Sequence, residues 1–256
     1  MKRNTLALIL AASMILAGCG SSNSQSTVAP TESPVPTAAP EPTESPKVET
    51  NDGFTATKTT HVDITDPGLQ ALADEYSAAV ADLTDAYDAL PKEFSSFEDL
   101  KDNEDTIYEW FKHEREVSEK LFEDTKVACS AYYTNLEATT TDAEFLYNNC
   151  DEANEIVYNT LLDYYNDAVY EGLYDEMNKT YYEGAYDSVK DTADDYGEWL
   201  SSASDFYSEW LDSASDLYSD WLDTGSDVYK EYLDKSSDYY SAYLNNKPYS
   251  ASEASD

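Results

Sequence analysis

Positive charge is what this chain has least of. Lysine and arginine together number 15 against 53 aspartates and glutamates, for a formal net charge of −38, and Arg115 is the only arginine after Arg3. A surface of that sign repels phosphate backbones and anionic headgroups, and no basic patch offsets it, so nucleic acid is excluded as a partner. Proline is missing between Pro91 and Pro248, where only Gly172, Gly184, Gly197 and Gly225 interrupt the chain. No stretch alternates apolar and polar residues in the way of a half-buried strand. What is abundant instead is tyrosine, 23 residues of it, with four tryptophans, enough apolar surface for a core despite the charge. The expected fold is all α.

Catalytic and metal-binding patterns are also lacking. His113-Glu114 opens like a zincin motif, but Val117 stands where the second histidine is required. A di-metal site in a helical bundle wants two Glu-x-x-His pairs, and His61 is far from His113. There is no glycine-rich phosphate loop, no Gly-x-Ser-x-Gly elbow and no Cys-x-x-Cys pair. Neighbouring acids such as Asp194 with Asp195, or Asp223 with Asp227, attract cations weakly without forming a calcium loop. The expectation is a non-enzymatic protein with no catalytic residues, no metal and no cofactor.

The N-terminus carries a sharper signal. Lys2 and Arg3 precede an apolar run over residues 5–17, too short to span a bilayer stably and of the length of an export signal. The run ends in Leu16-Ala17-Gly18-Cys19, which resembles the lipobox of bacterial lipoprotein precursors. That resemblance implies cleavage after residue 18, acylation of Cys19 and attachment to the extracytoplasmic face of the cell membrane, with the lipid as the membrane contact. Residues 19–63 are rich in Ser, Thr and Pro, a composition that holds a chain extended and cannot pack. They read as a disordered linker.

From residue 64 the pattern is helical, and an antiparallel bundle or coiled coil, elongated along its helices, is expected over residues 64–245, with a disordered tail at 246–256. A first helix starts at Asp66 as N-cap with Pro67 in its first turn and stops at Pro91. Its seam is Leu69, Ala73, Tyr76, Val80, Leu83, Tyr87 and Leu90. After a connector with Ser95 and Glu98 as a cap, a second helix runs from about Asn103 to Leu136. A third begins near Thr141, which has capping-box spacing to Glu144. Cys129 and Cys150 lie symmetrically about this turn on apolar seams. They are expected to be bridged or in contact, a bridge being allowed outside the cytoplasm; the alternative is two small buried thiols.

The clearest order is an eleven-residue repeat over residues 194–244: DFYSEWLDSAS at 205–215, DLYSDWLDTGS at 216–226 and DVYKEYLDKSS at 227–237, with looser copies on either side. Eleven residues make almost three helical turns, so each copy presents one face. Positions 2, 3, 6, 7 and 10 of the repeat fall in one arc of about 130°. Trp199, Leu200, Trp210, Leu211, Trp221, Leu222, Tyr232 and Leu233 form the expected interaction stripe. The stripe has three possible covers: the other helices of the bundle, self-association or an envelope protein, and lipid. Amphipathic helices of apolipoproteins have a similar period, but they set basic residues beside the apolar face, and here acids stand there.

The functional expectation is a lipid-anchored, extracytoplasmic binding or scaffolding module acting through the aromatic helix. The alternative is a peripheral lipid- or amphiphile-binding protein using the same stripe. The third helix either continues into the repeat or breaks near residues 178–180 or 183–184.

Overall fold

The structure is a computed structural model and describes residues 64–251. The chain divides into two units, residues 1–50 and 51–256, and all described residues belong to the second. The apolar run, Cys19 and the whole of the linker lie outside them. Every regular element among the described residues is helical.

Helix α1 spans Pro67–Asp88, and the Asp66 carboxylate accepts from the amides of Gly68 and Leu69, so cap and proline start it as expected. A short helix α2, Phe97–Lys101, follows. Its cap is Ser96, which accepts from the Asp99 amide, while Asp99 in turn accepts from Ser95; the expected pairing of Ser95 with Glu98 is displaced by one residue. Helix α3 spans Glu104–Thr139. Helix α4, Ala143–Asn149, is capped by Asp142 rather than Thr141, because the Asp142 carboxylate reaches the amides of Glu144 and Phe145.

The third long rod is not a uniform α-helix. Short α segments α5 (Glu152–Ile156), α6 (Asp163–Tyr165), α7 (Tyr174–Met177) and α8 (Asp187–Val189) alternate with π-helical segments Val157–Leu162, Asn166–Leu173 and Asn178–Tyr186. This segmented helix ends in a 3₁₀ turn, Lys190–Thr192, and Ala193 is extended. The break therefore lies at residues 190–195, later than either expected position. Helix α9, Tyr196–Leu244, then carries all the repeats without interruption.

Paired contacts set the directions. Tyr76 meets Thr125 and Trp110 meets the Leu83 carbonyl, so α1 and α3 are antiparallel. Tyr174 bonds Glu114 and Tyr186 bonds Glu104, so the segmented helix is antiparallel to α3. Arg115 pairs with Glu209 and Lys126 with Asp227, so α9 returns parallel to α3. Each long helix thus reverses its predecessor. The core between them is unusually rich in tyrosine: Tyr76, Tyr133, Tyr165, Tyr174, Tyr181, Tyr186 and Tyr239 are fully buried.

The C-terminal segment is partly docked. Tyr249 is buried, its ring lies edge-on to Tyr239 at 4.8 Å, its amide donates to the Thr141 carbonyl at 2.9 Å and its hydroxyl to Glu137 at 3.0 Å. The expected disordered tail from residue 246 is therefore corrected as far as Tyr249. A single aromatic residue provides the burial that the surrounding Asn, Lys and Ser residues lack.

Candidate interaction surface

Two repeats of different length face each other across the junction of α9 and the segmented helix. In α9 the tyrosines at repeat position 3 are Tyr207, Tyr218, Tyr229 and Tyr240, eleven residues apart. Opposite them stand Tyr182, Tyr170, Tyr158 and Tyr147, and the ring centroids pair at 4.9, 5.4, 6.2 and 5.1 Å respectively. Such contacts stabilise by about 0.5–1.5 kcal/mol each beyond the area they bury. The upper three partners are twelve residues apart and belong to a second repeat: Tyr158-x-x-Leu161-Leu162-Asp163, Tyr170-x-x-Leu173-Tyr174-Asp175 and Tyr182-x-x-Ala185-Tyr186-Asp187. Helical periodicity alone does not bring this repeat out, because its period differs from that of α9. Its signal is the recurrence of Tyr and Asp at a fixed offset.

Twelve residues in a regular α-helix overshoot three turns by about 120°, which would carry successive tyrosines off the shared face. A π turn takes up one extra residue without adding a turn. Between the equivalent positions Leu162, Tyr174 and Tyr186 of this repeat, the π segments Asn166–Leu173 and Asn178–Tyr186 fall one to each twelve-residue interval and hold the long repeat in step with the eleven-residue one.

The tryptophans lock this register. Trp199 Nε1 donates to the Tyr186 carbonyl at 2.9 Å, Trp210 Nε1 to the Tyr174 carbonyl at 2.8 Å and Trp221 Nε1 to the Leu162 carbonyl at 2.9 Å. Donors recur every eleven residues, acceptors every twelve. All three acceptors sit where a π segment ends.

The expected stripe is consequently split. Buried positions in α9 are 2 (Phe206, Leu217, Val228, Tyr239), 9 (Ser202, Ser213, Thr224) and 10 (Ala203, Ala214, Gly225), with the indoles at position 6 buried or half-buried. The buried arc is thus rotated by about 50° from the expected one. The physical cause is the hydroxyl at position 9: Ser202 donates to Glu104, and Ser213 accepts from Arg115, so α3 draws this edge inward. Gly225 lets the Tyr158 ring approach closely; a Cβ there would stand 3.1 Å from it.

Position 7 is what the rotation leaves outside. Leu200, Leu211, Leu222 and Leu233 are 50, 48, 47 and 47 % exposed. Trp199, Trp210, Trp221 and Tyr232 turn inward or stack on the position 3 ring before them, as in Tyr218 on Trp221 at 5.5 Å. The outer row is therefore Tyr207, Leu211, Tyr218, Leu222, Tyr229, Leu233 and Tyr240. Comparison with known protein families, characterised proteins and solved structures finds no match.

Two further groups bear on chemistry. Glu114 is fully buried and receives bonds from Ser118 and from the Tyr174 hydroxyl at 2.6 Å, with Ser118 also 2.7 Å from the Tyr165 hydroxyl. Burial raises its pKa to about 6 despite those bonds and the charge of Arg115. It borders a cleft of about 630 Å³ between α3 and α9 with Arg115, Lys126, Asp216 and Asp220 along its walls. His113 is a surface residue whose Nε2 lies 2.8 Å from Asp82. Among the described residues, no group of three or more His, Cys, Asp or Glu is placed to hold a metal ion.

Cys129 and Cys150 are both buried free thiols, so the bridge is not formed. Cys150 bonds the Tyr147 carbonyl within its own turn at 3.2 Å, and α4 packs on α9 rather than hairpinning closely onto α3. Burial pushes the Cys129 thiol up to about 12.

Proposed function

We propose that this protein is a lipid-anchored, extracytoplasmic binding module, non-enzymatic, whose contact line is the outer row of α9. The observation that carries this reading is the regular exposure of Leu200, Leu211, Leu222 and Leu233 beside tyrosines on one uninterrupted helix. The bundle fills its own core without them, and a contiguous apolar row on an acidic surface marks an interaction site. Lys2, Arg3, the apolar run and Leu16-Ala17-Gly18-Cys19 support the anchor, and residues 19–63 support a tether between anchor and bundle. No helix among the described residues is long and apolar enough to cross a membrane, so in this reading attachment rests on the acyl chains.

The test places a photo-cross-linking residue at Leu222 and, as a control about 160° round α9, at the exposed Asp220, in the full chain in its own envelope. Cross-links to protein from residue 222 alone support the binding reading. Cross-links into lipid from residue 222 would replace it with the peripheral lipid-binding alternative. Labelling with palmitate that persists in Cys19→Ser would remove the proposed anchor.

A further inference from the structure

The charges around the outer row specify its occupant more narrowly than its apolar character does. The ion pairs of α9 among the described residues all point toward α2 or α3: Glu198 to Lys101, Glu209 to Arg115, Asp227 to Lys126 and Lys235 to Glu137. Asp212, Asp223 and Asp234 are different. Each directly follows an exposed leucine, each is itself exposed, and none has an ion-pair partner among the described residues. The row thus repeats one unit, leucine with an unneutralised carboxylate beside it and a tyrosine four residues before it, about every 16 Å along the helix.

Resting on the binding reading above, we propose that this row docks a cationic amphipathic helix of another protein, one that presents an apolar residue every three turns with lysine or arginine beside it. A second copy of this chain offers the same carboxylates and would set like charges against each other along the whole contact. Anionic headgroups are repelled for the same reason. A basic helix instead brings its side chains to Asp212, Asp223 and Asp234 at the rim while its apolar edge covers Leu211, Leu222 and Leu233, the helix-in-groove mode of recognition. The paired tyrosines, Tyr158 with Tyr229 and Tyr170 with Tyr218, stand beside the leucines and widen the apolar strip that helix would cover.

The experiment uses the full chain in phosphatidylcholine nanodiscs and, as probe, a synthetic peptide of residues 205–237 in which every Asp and Glu is replaced by Lys. Its controls are a scrambled peptide of the same composition and the unaltered acidic peptide. The patterned basic peptide is expected to bind at least tenfold tighter than the scrambled one. That margin should disappear in the triple variant Leu211→Ser, Leu222→Ser, Leu233→Ser, whose melting temperature stays close to the parent because these side chains are half exposed. Equal binding of patterned and scrambled peptides, or an undiminished margin in the triple variant, would overturn the inference as mere charge attraction. Tighter binding of the acidic peptide would overturn it in favour of self-association. If the basic peptide fails while residue 222 still cross-links to protein in the envelope, the inference falls and the binding reading stands; if residue 222 cross-links only into lipid, both fall.

Discussion

The indole nitrogen of Trp210 donates to the main-chain carbonyl of Tyr174 across 2.8 Å, joining position 6 of an eleven-residue repeat to position 5 of a twelve-residue one. Trp199 and Trp221 repeat the bond one period to either side. Trp210→Phe keeps an aromatic ring near Tyr207 but trims the indole and deprives a partly buried carbonyl of its donor. The expected cost is about 1–2 kcal/mol in denaturant unfolding. A loss below a few tenths would mean the bond does not hold the register.

The mismatch of periods makes deletions asymmetric. Deleting the exposed Glu171 removes one residue from a π segment, which can then close to an α turn and leave Tyr158 and Tyr182 on the same face. Deleting the exposed Ser219 from α9 rotates every later repeat by about 100° and takes Val228 and Tyr239 out of the core. Thermal melts should show the first variant folded and the second largely unfolded; equal damage from both would remove the accommodation argument.

Glu114 gives stability a pH dependence of definite sign. Its folded-state pKa of about 6 exceeds the unfolded value of 4.5, so the folded state binds the proton more tightly. This contribution is full below pH 4.5 and is lost as pH rises through 6, amounting to about 2 kcal/mol. Glu114→Gln should flatten the stability profile between those values, measured by urea unfolding at stepped pH. An unchanged slope would place the titration elsewhere.

Glu137 titrates in the opposite direction. Burial raises its pKa, but bonds from Lys235, Tyr239 and Tyr249, with the charge of Lys235, outweigh burial and lower it. The stability it contributes is present above its unfolded pKa and is lost as pH falls through the lowered folded value. Acid should therefore release the segment around Tyr249 first. Hydrogen exchange at the Tyr249 amide, which bonds Thr141, should accelerate in Glu137→Gln at neutral pH; full protection there would sink the prediction.

Burial and the raised pKa of Cys129 predict thiol chemistry gated by unfolding. Iodoacetamide should leave Cys129 and Cys150 unmodified in the native protein and label both in urea without reductant. Finding them unlabelled in urea until a reductant is added would show that the oxidised protein carries the bridge absent here.

Much of the bundle was legible in the residues themselves. Asp66 with Pro67 starts α1 because a carboxylate and a ring locked at helical φ satisfy the first turn locally, and the seam from Leu69 to Tyr87 is buried as its spacing implies. The apolar stripe of α9 was legible only in outline. Its period follows from spacing, but the division into inward indoles and outward leucines does not, since the wheel of a single helix cannot say which of two neighbours will press on it. Ser202 and Ser213 read as surface residues until Glu104 and Arg115 lie opposite them.

The sequence by itself determined the helical class, the acidic surface and the eleven-residue period, all of which follow from local preference, charge and spacing along one chain. Tertiary structure alone decided the register. Which carbonyl an indole meets depends on a partner 13, 36 or 59 residues away on another helix, and the π segments exist where a twelve-residue spacing must keep step with an eleven-residue one. Such a compromise has no local signature, because neither repeat is irregular until the other is laid against it.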